Sequence, residues 1–264
     1  MKEDLFQSAI QTLGTEEAPR VWSLIVTVFG DLAQKQGDLI SGPMLTSILS
    51  PLGVRPEAMR VALHRLRNEG WIETTKRGRE AFHSLSATGL EQSAIASERI
   101  YASEHSASPS WHVLCYPPAL SNDEHSRAAG LVGHGYIALS AGVYLANGSA
   151  QSVAKDALVL EGALGDIPEW LSASLVSNGL GSALKDLSAA LDLLALDESH
   201  IQALTPFQIA TLRTLIVHRW RKLALKLPDV PDALFGRSFE GTACRPQVLR
   251  MLNTLRRPEL SMLV

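Results

Sequence analysis

RVALHRLRNEGWI, residues Arg60–Ile72, carries Arg60, Arg65 and Arg67 and one histidine among apolar positions at helical spacing. At 100° per residue, Met59, Ala62, Leu63 and Leu66 share one face, while Arg60, His64 and Arg67 gather on nearly the opposite one. One side suits a core; the other faces water or an anion. Pro56 fits a first helical turn, and Gly70 supplies the left-handed conformation that commonly ends a helix. The spacing predicts a helix over Pro56–Glu69.

Upstream, Val21, Leu24, Ile25, Val28, Phe29 and Leu32 recur at helical intervals as a core-facing stripe, and Gly37 is expected to close that helix. Ser41 can cap a short second helix carrying Met44, Leu45, Ile48 and Leu49, which the tight turn Pro51–Val54 breaks. Downstream, WIETTKRGREAFHSLS (71–86) places two segments rich in β-branched and aromatic residues around Lys76, Arg77, Gly78 and Arg79, a hairpin pattern with Gly78 in the turn. Three helices followed by a basic-tipped ribbon is the order of a winged helix-turn-helix. In that arrangement the third helix enters the major groove and the ribbon reaches phosphate or the minor groove.

Charge supports a local polyanion site. The chain of 264 residues has a net charge of −3, which favours no partner. Between Arg55 and Arg79, however, seven basic residues stand against three acidic ones, a net +4 that leaves −7 for the remainder. Phosphate neutralisation supplies much of the free energy of DNA binding, with a salt slope of about −0.9 per contacted phosphate. Arginine can also donate a bidentate pair to guanine. Arg60, His64 and Arg67 are the candidate base readers, and Arg55, Lys76, Arg77 and Arg79 the candidate phosphate contacts. Arg65 points sideways. A solvated helix face is the plain alternative for the helix taken alone.

A helix is expected over Thr88–Tyr101, and the small polar stretch ASEHSASPS (102–110), with Glu104 and His105, marks a boundary. The period then changes. Trp111–Tyr116, Tyr136–Ser140, Val143–Asn147 and Ala157–Glu161 read as strands, with a helix in SNDEHSRAAGLVGHG (121–135) between the first two. From Pro168 the pattern is helical, notably over Ser182–Leu196, Pro206–Leu227 and Thr242–Leu255. The expected fold is multidomain α+β. It comprises a winged helix-turn-helix over 20–101, a small ferredoxin-like α+β domain over 110–166, and an all-helical domain over 167–264.

Other chemistries lack their signatures. Cys115 and Cys244 are far apart and fit neither a disulfide framework nor a zinc motif. His112, His125 and His134 have no ligand-like spacing, so no metal and no cofactor is expected. The glycine-rich stretch 130–148 contains neither a phosphate-binding loop nor a dinucleotide fingerprint, and no nucleophile elbow or zincin motif occurs. The chain is therefore not expected to be an enzyme. Without a signal-like N-terminus or a membrane-length apolar run, it is expected to be soluble and cytoplasmic, with no membrane partner.

SLIVTVFGD (23–31) and SPLGVRPEAMRVALHRLRNEGWI (50–72) resemble the N-terminal domain of the PaaX-like transcriptional repressors. SWHVLCYP (110–117), GHGYIALSAGVYLA (133–146) and VHRWRKLALKLPDVP (217–231) resemble that family's later signatures, in order. Where the family usually has Asp-Pro before Leu-Pro, this chain reads Leu227-Pro228-Asp229-Val230-Pro231. The resemblance implies a homodimer on an inverted-repeat, double-stranded DNA operator, released by an acyl-CoA effector, which is phenylacetyl-CoA in the regulators of phenylacetate catabolism. Members serving other pathways with other effectors are equally implied. On the long C-terminal helix, Ile209, Leu212, Ile216, Trp220, Leu223 and Leu227 form a core stripe. His218, Arg221 and Lys222 lie opposite, with Arg219 on a flank, and these four are the candidate effector contacts, since coenzyme A phosphates require cations. A solvated basic face or dimer contacts would use the same residues. A winged helix that binds protein rather than DNA is the alternative function.

Overall fold

The stripe beginning at Val21 forms helix α2 (Val21–Leu32) in the computed structural model, with Leu24, Ile25, Val28 and Phe29 fully buried. The structure describes residues 2–14, 19–103, 108, 110–117, 130–131, 135–150, 156–176, 178–194, 196, 198–228, 230–235, 239 and 241–263. Before α2 lies α1 (Lys2–Leu13), which buries Phe6, Ala9 and Leu13. A two-residue strand, β1 (Ile40–Ser41), leads into α3 (Gly42–Leu49), and the Ser41 hydroxyl accepts from the Met44 amide at 3.2 Å, the cap expected there. A single 3-10 turn (Ser50–Leu52) then closes on Gly53 at φ +77°.

Helix α4 (Pro56–Asn68) starts on its proline, and Gly70 at φ +74° reverses the chain beyond its end. Strands β2 (Ile72–Arg77) and β3 (Glu80–Leu85) pair antiparallel from Ile72 with Leu85 to Arg77 with Glu80, leaving Gly78 and Arg79 as the turn. Strand β1 adds to the far side of β3, an order β1-β3-β2 that ties the hairpin to the base of α3. Nothing in the local pattern announced so short a strand. Helix α5 (Ala87–Ile100) follows, capped by Ser86, whose hydroxyl accepts from the Gly89 amide and donates to the Gly70 carbonyl.

The chain gathers into two compact units, one made of Met1–Ala102, Ala183–Leu225 and Ala243–Val264, the other of Ser103–Ser182 and Lys226–Thr242. The helical segment 167–264 of the sequence reading thus contributes to both. Its helices are α6 (Glu169–Leu175), α7 (Asn178–Leu194), α8 (Glu198–Gln202), α9 (Pro206–Ala224) and α10 (Gly241–Thr254). Thr205 and Gln208 form a full capping box at the start of α9.

Helix α9 differs most from its expected single stripe. It packs on α1, α2, α3 and α5, and buries Thr211, Arg213, Thr214 and His218 besides its apolar residues. Helix α2 is likewise buried on its polar side, at Ser23, Thr27 and Asp31. The two helices cover each other, so much of the polar side of each is withdrawn from water. Leu24, Ile25, Val28, Phe29, Ile40, Leu45, Ile48, Leu66 and Ala210 belong to one core.

In the second unit, β4 (Trp111–Cys115), β5 (Ile137–Ser140), β6 (Val143–Asn147) and β7 (Leu158–Gly162) form an antiparallel sheet in the order β5-β6-β4-β7. These are the four expected strands. Of the helix expected between the first two, only Gly130, Leu131 and Gly135 are described; Gly130 and Leu131 are helical and Gly135 lies in a turn. Leu114, Leu131, Tyr136, Tyr144 and Ala146 form the core beneath the sheet. Among the described residues, no helix is long and apolar enough to cross a membrane.

Candidate nucleic-acid interface

Helix α4 divides as its periodicity requires. Met59, Ala62 and Leu66 are buried, whereas Arg55, Arg60, His64 and Arg67 are all exposed. Apolar burial of one stripe against α2 fixes the rotation of the helix, and that rotation turns the basic stripe outward. Arg60 pairs with Glu57 at 3.0 Å with both side chains about three-quarters exposed, a contact that water screens and a phosphate or base can replace. His64 Nδ1 accepts from the Asn68 amide at 3.3 Å. Arg65 is held away from this face, bonding Glu69 at 2.7 Å and stacking over the Trp22 ring at 5.1 Å.

Val61, absent from the sequence-based set, is 70% exposed on the face that carries Arg60 and His64. A large apolar side chain left in water beside basic residues can meet a thymine methyl group. Its signal was present in the sequence as the one aliphatic position off the core stripe.

Arg67 joins the helix to the hairpin. It lines an open groove with Gly70, Glu73, Thr74 and Thr88, and its charge, second to burial, lowers the pKa of His83 in β3. His83 is buried and pairs through Nδ1 with Thr74 Oγ1 at 2.9 Å, a cross-strand contact inside the hairpin. Lys76, Arg77 and Arg79 are exposed around the turn, with Arg77 over the Phe82 ring at 5.4 Å. Glu80 stands directly across from Arg77 and dilutes the positive tip, which the charge count ending at Arg79 did not register.

The four candidate effector contacts on α9 are dispersed rather than gathered on a solvated face. His218 is buried, with Nδ1 3.3 Å from Thr27 Oγ1 and, among the described residues, no hydrogen-bond partner for Nε2. Arg221 donates to Ser23 Oγ at 3.0 Å, also against α2. Arg219 turns toward α1 and donates to the Leu13 carbonyl at 3.1 Å, while Lys222 is exposed. Burial, then Lys222 and Arg221, push the His218 imidazole down to about 3. Helical period places His218, Arg221 and Lys222 opposite the core stripe and Arg219 on a flank, but it cannot register what packs on them from elsewhere.

Arg213 and Asp31, neither of them singled out by sequence, make a bidentate pair in the core. His112 is buried between Gly148 O, to which Nδ1 donates at 2.7 Å, and the Tyr136 hydroxyl at 2.9 Å from Nε2, so both nitrogens serve the sheet. His125 and His134 lie outside the described residues. Among the described residues, no group of three or more His, Cys, Asp or Glu is placed to hold a metal ion. Cys115 and Cys244 are free thiols, and burial pushes Cys244 up to about 12.

An outward basic helix followed by a basic hairpin, both mounted on an apolar core, is built to hold a polyanion. The chain belongs to the PaaX-like family: residues 20–89 match the PaaX-like protein family and residues 179–261 the PaaX-like protein C-terminal domain. It is 26% identical over 242 residues to the transcriptional repressor PaaX of Escherichia coli K12, covering 84% of this chain and 76% of that protein. The fold is also that of the uncharacterized protein Rv0674 from Mycobacterium tuberculosis, at a TM-score of 0.57 and 17% identity, covering 90% of this chain and 97% of that one.

Proposed function

We propose that this protein is a DNA-binding transcriptional repressor of the winged-helix type, a cytoplasmic regulator rather than an enzyme. The observation that carries the reading is the outward side of α4, where Arg60, His64, Arg67 and Val61 are all exposed while Met59, Ala62 and Leu66 anchor the opposite side. Helix α4 lies in the major groove, with Arg60, His64 and Arg67 at base edges and Val61 against a thymine methyl. Arg55, Lys76, Arg77 and Arg79 hold phosphates. The E. coli relative is named a transcriptional repressor, and this supports the same role here.

The repressor acts as a homodimer on an inverted repeat, since two-fold symmetry adds two modest half-site interactions. The sheet order β5-β6-β4-β7 supports a ferredoxin-like middle domain. An acyl-CoA thioester such as phenylacetyl-CoA is the effector, and an aromatic-acid catabolic operon the target. His218, Arg219, Arg221 and Lys222 supply the candidate contacts.

Titration of labelled duplexes at two salt concentrations tests the reading. Binding that weakens steeply with salt and is tighter for duplexes from upstream of the regulated operon is expected. Absence of duplex binding at low salt overturns it and favours a protein-binding role for the same face.

A further inference from the structure

Thr211 of α9 is fully buried, and its hydroxyl lies within hydrogen-bond reach of two carbonyls, Ile48 of α3 at 2.8 Å and Phe207, one turn back in its own helix, at 2.9 Å. The second contact is the ordinary habit of a threonine inside a helix. Thr214, on the next turn, shows it too, donating to the Ala210 carbonyl at 2.7 Å. A hydroxyl has one proton, and Phe207 alone would satisfy it. The contact with Ile48 therefore matters chiefly to α3.

Ile48 stands where α3 ends, and the last four carbonyls of a helix lack their regular intrahelical donors. The Ser50 amide bonds the Thr46 carbonyl, the Val54 amide reaches the Leu49 carbonyl at 3.4 Å, and the Gly53 amide bonds the Ser50 carbonyl at 2.9 Å. Pro51, three residues beyond Ile48, has no N–H to offer. For Ile48 a donor arrives from Thr211, 163 residues away. Ile48, Leu49, Met59 and Leu66 share one core with Ala210 of α9, and Phe207 packs against it. A carbonyl that loses its donor in such a place has no water to replace it.

The turn after α3 decides how α4 sits against it. Between Leu49 and Pro56 lie only the 3-10 turn, Gly53 at φ +77°, Val54 and Arg55. In a helix-turn-helix the first helix crosses the DNA backbone while the second enters the major groove, so both engage one duplex only at a fixed mutual angle. We propose, on the basis of the DNA-binding reading, that Thr211 is a positioning residue for DNA recognition. Its hydroxyl pins the end of α3 and, through the turn, sets the angle at which Arg60, His64 and Arg67 meet base edges. Helix α9 thereby tunes specificity without touching DNA.

Two substitutions in the full chain separate the donor from the shape. Thr211→Val keeps the shape and removes the donor, whereas Thr211→Ser keeps the donor and loses a methyl group. By fluorescence anisotropy, Thr211→Val is expected to bind duplexes from upstream of the regulated operon at least about fivefold more weakly than wild type, with affinity for an unrelated duplex unchanged. Thr211→Ser is expected to stay within about twofold of wild type on both. Hydrogen exchange at the Gly53 and Val54 amides is expected to quicken in Thr211→Val and not in Thr211→Ser.

Equal weakening by Thr211→Ser overturns the inference, as does weaker binding without faster exchange at the turn. Thr211→Val that melts earlier yet keeps its preference for the upstream duplexes leaves Thr211 a structural role only, and overturns the inference while the DNA-binding reading stands. Should Thr211→Val not fold, Thr211→Cys, a weak donor of similar size, is judged by the same outcomes. Wild type that binds no duplex at low salt overturns the DNA-binding reading itself, and this role for Thr211 with it.

Discussion

Arg213 and Asp31 lie 182 residues apart and meet in a bidentate pair, Nε to Oδ2 at 2.8 Å and Nη2 to Oδ1 at 2.7 Å. Tyr101 adds a third contact by donating to Asp31 Oδ1 at 2.7 Å. The pair bolts α9 to α2, the helix on whose other side α4 rests. The platform beneath α4 and its basic face is therefore completed by the C-terminal part of the chain.

Removing Arg213 leaves buried Asp31 with only the partly exposed Arg257, 3.6 Å away, as counter-ion. Arg213→Met is expected to lower stability by about 3–5 kcal/mol, and Asp31→Leu combined with it to recover part of the loss. Urea unfolding of the single and double variants measures both, and equal losses would separate the pair from stability.

The helix and the hairpin have separable roles. Arg77→Ala is expected to weaken binding on every duplex and to reduce the salt slope by about one, whereas Arg60→Ala relaxes preference at one base pair. Val61→Ala is expected to reduce discrimination at a thymine position by about 1 kcal/mol with no change in salt slope. Fluorescence anisotropy on operator and single-substitution duplexes distinguishes the three.

Gly89 sits where the start of α5 crosses the root of the hairpin, and a Cβ there would meet the Trp71 carbonyl oxygen at 2.2 Å. The obstacle is backbone and cannot rotate away. Gly89→Ala is expected to cost about 1–3 kcal/mol in thermal unfolding and to weaken DNA binding by displacing β2.

Folding stability should fall in mild acid. The folded protein holds His218 neutral, mainly through burial, with its pKa down at about 3, while the unfolded chain takes up a proton below the ordinary 6.5. This contribution is complete above pH 6.5 and is lost as pH falls toward 3, with a slope of up to about 1.4 kcal/mol per pH unit. His83, also lowered, acts in the same direction. His218→Asn is expected to flatten the dependence between about pH 7 and pH 5.5, read from urea midpoints.

Local rules made the geometry of the basic face of α4 legible. The spacing of Met59, Ala62 and Leu66 determined which way α4 turns, and so which way Arg60, His64 and Arg67 point. Ser41 as cap, Pro56 as first residue and Gly70 and Gly78 at positive φ all follow from chemistry within a few residues. Membership of the PaaX-like family was legible for the same reason, since its signatures lie in such segments.

Tertiary structure alone decided the rest. Period placed His218 and Arg221 opposite the core stripe of α9, and α2 buried His218 and partly covered Arg221; Asp31, a polar interruption in an apolar stripe, found its counter-ion on α9. A sequence window records what a side chain is and which way its helix turns it. Whether that side chain keeps its water depends on surface arriving from a distant part of the chain, and for His218 that removal of water is what holds an ordinary imidazole neutral.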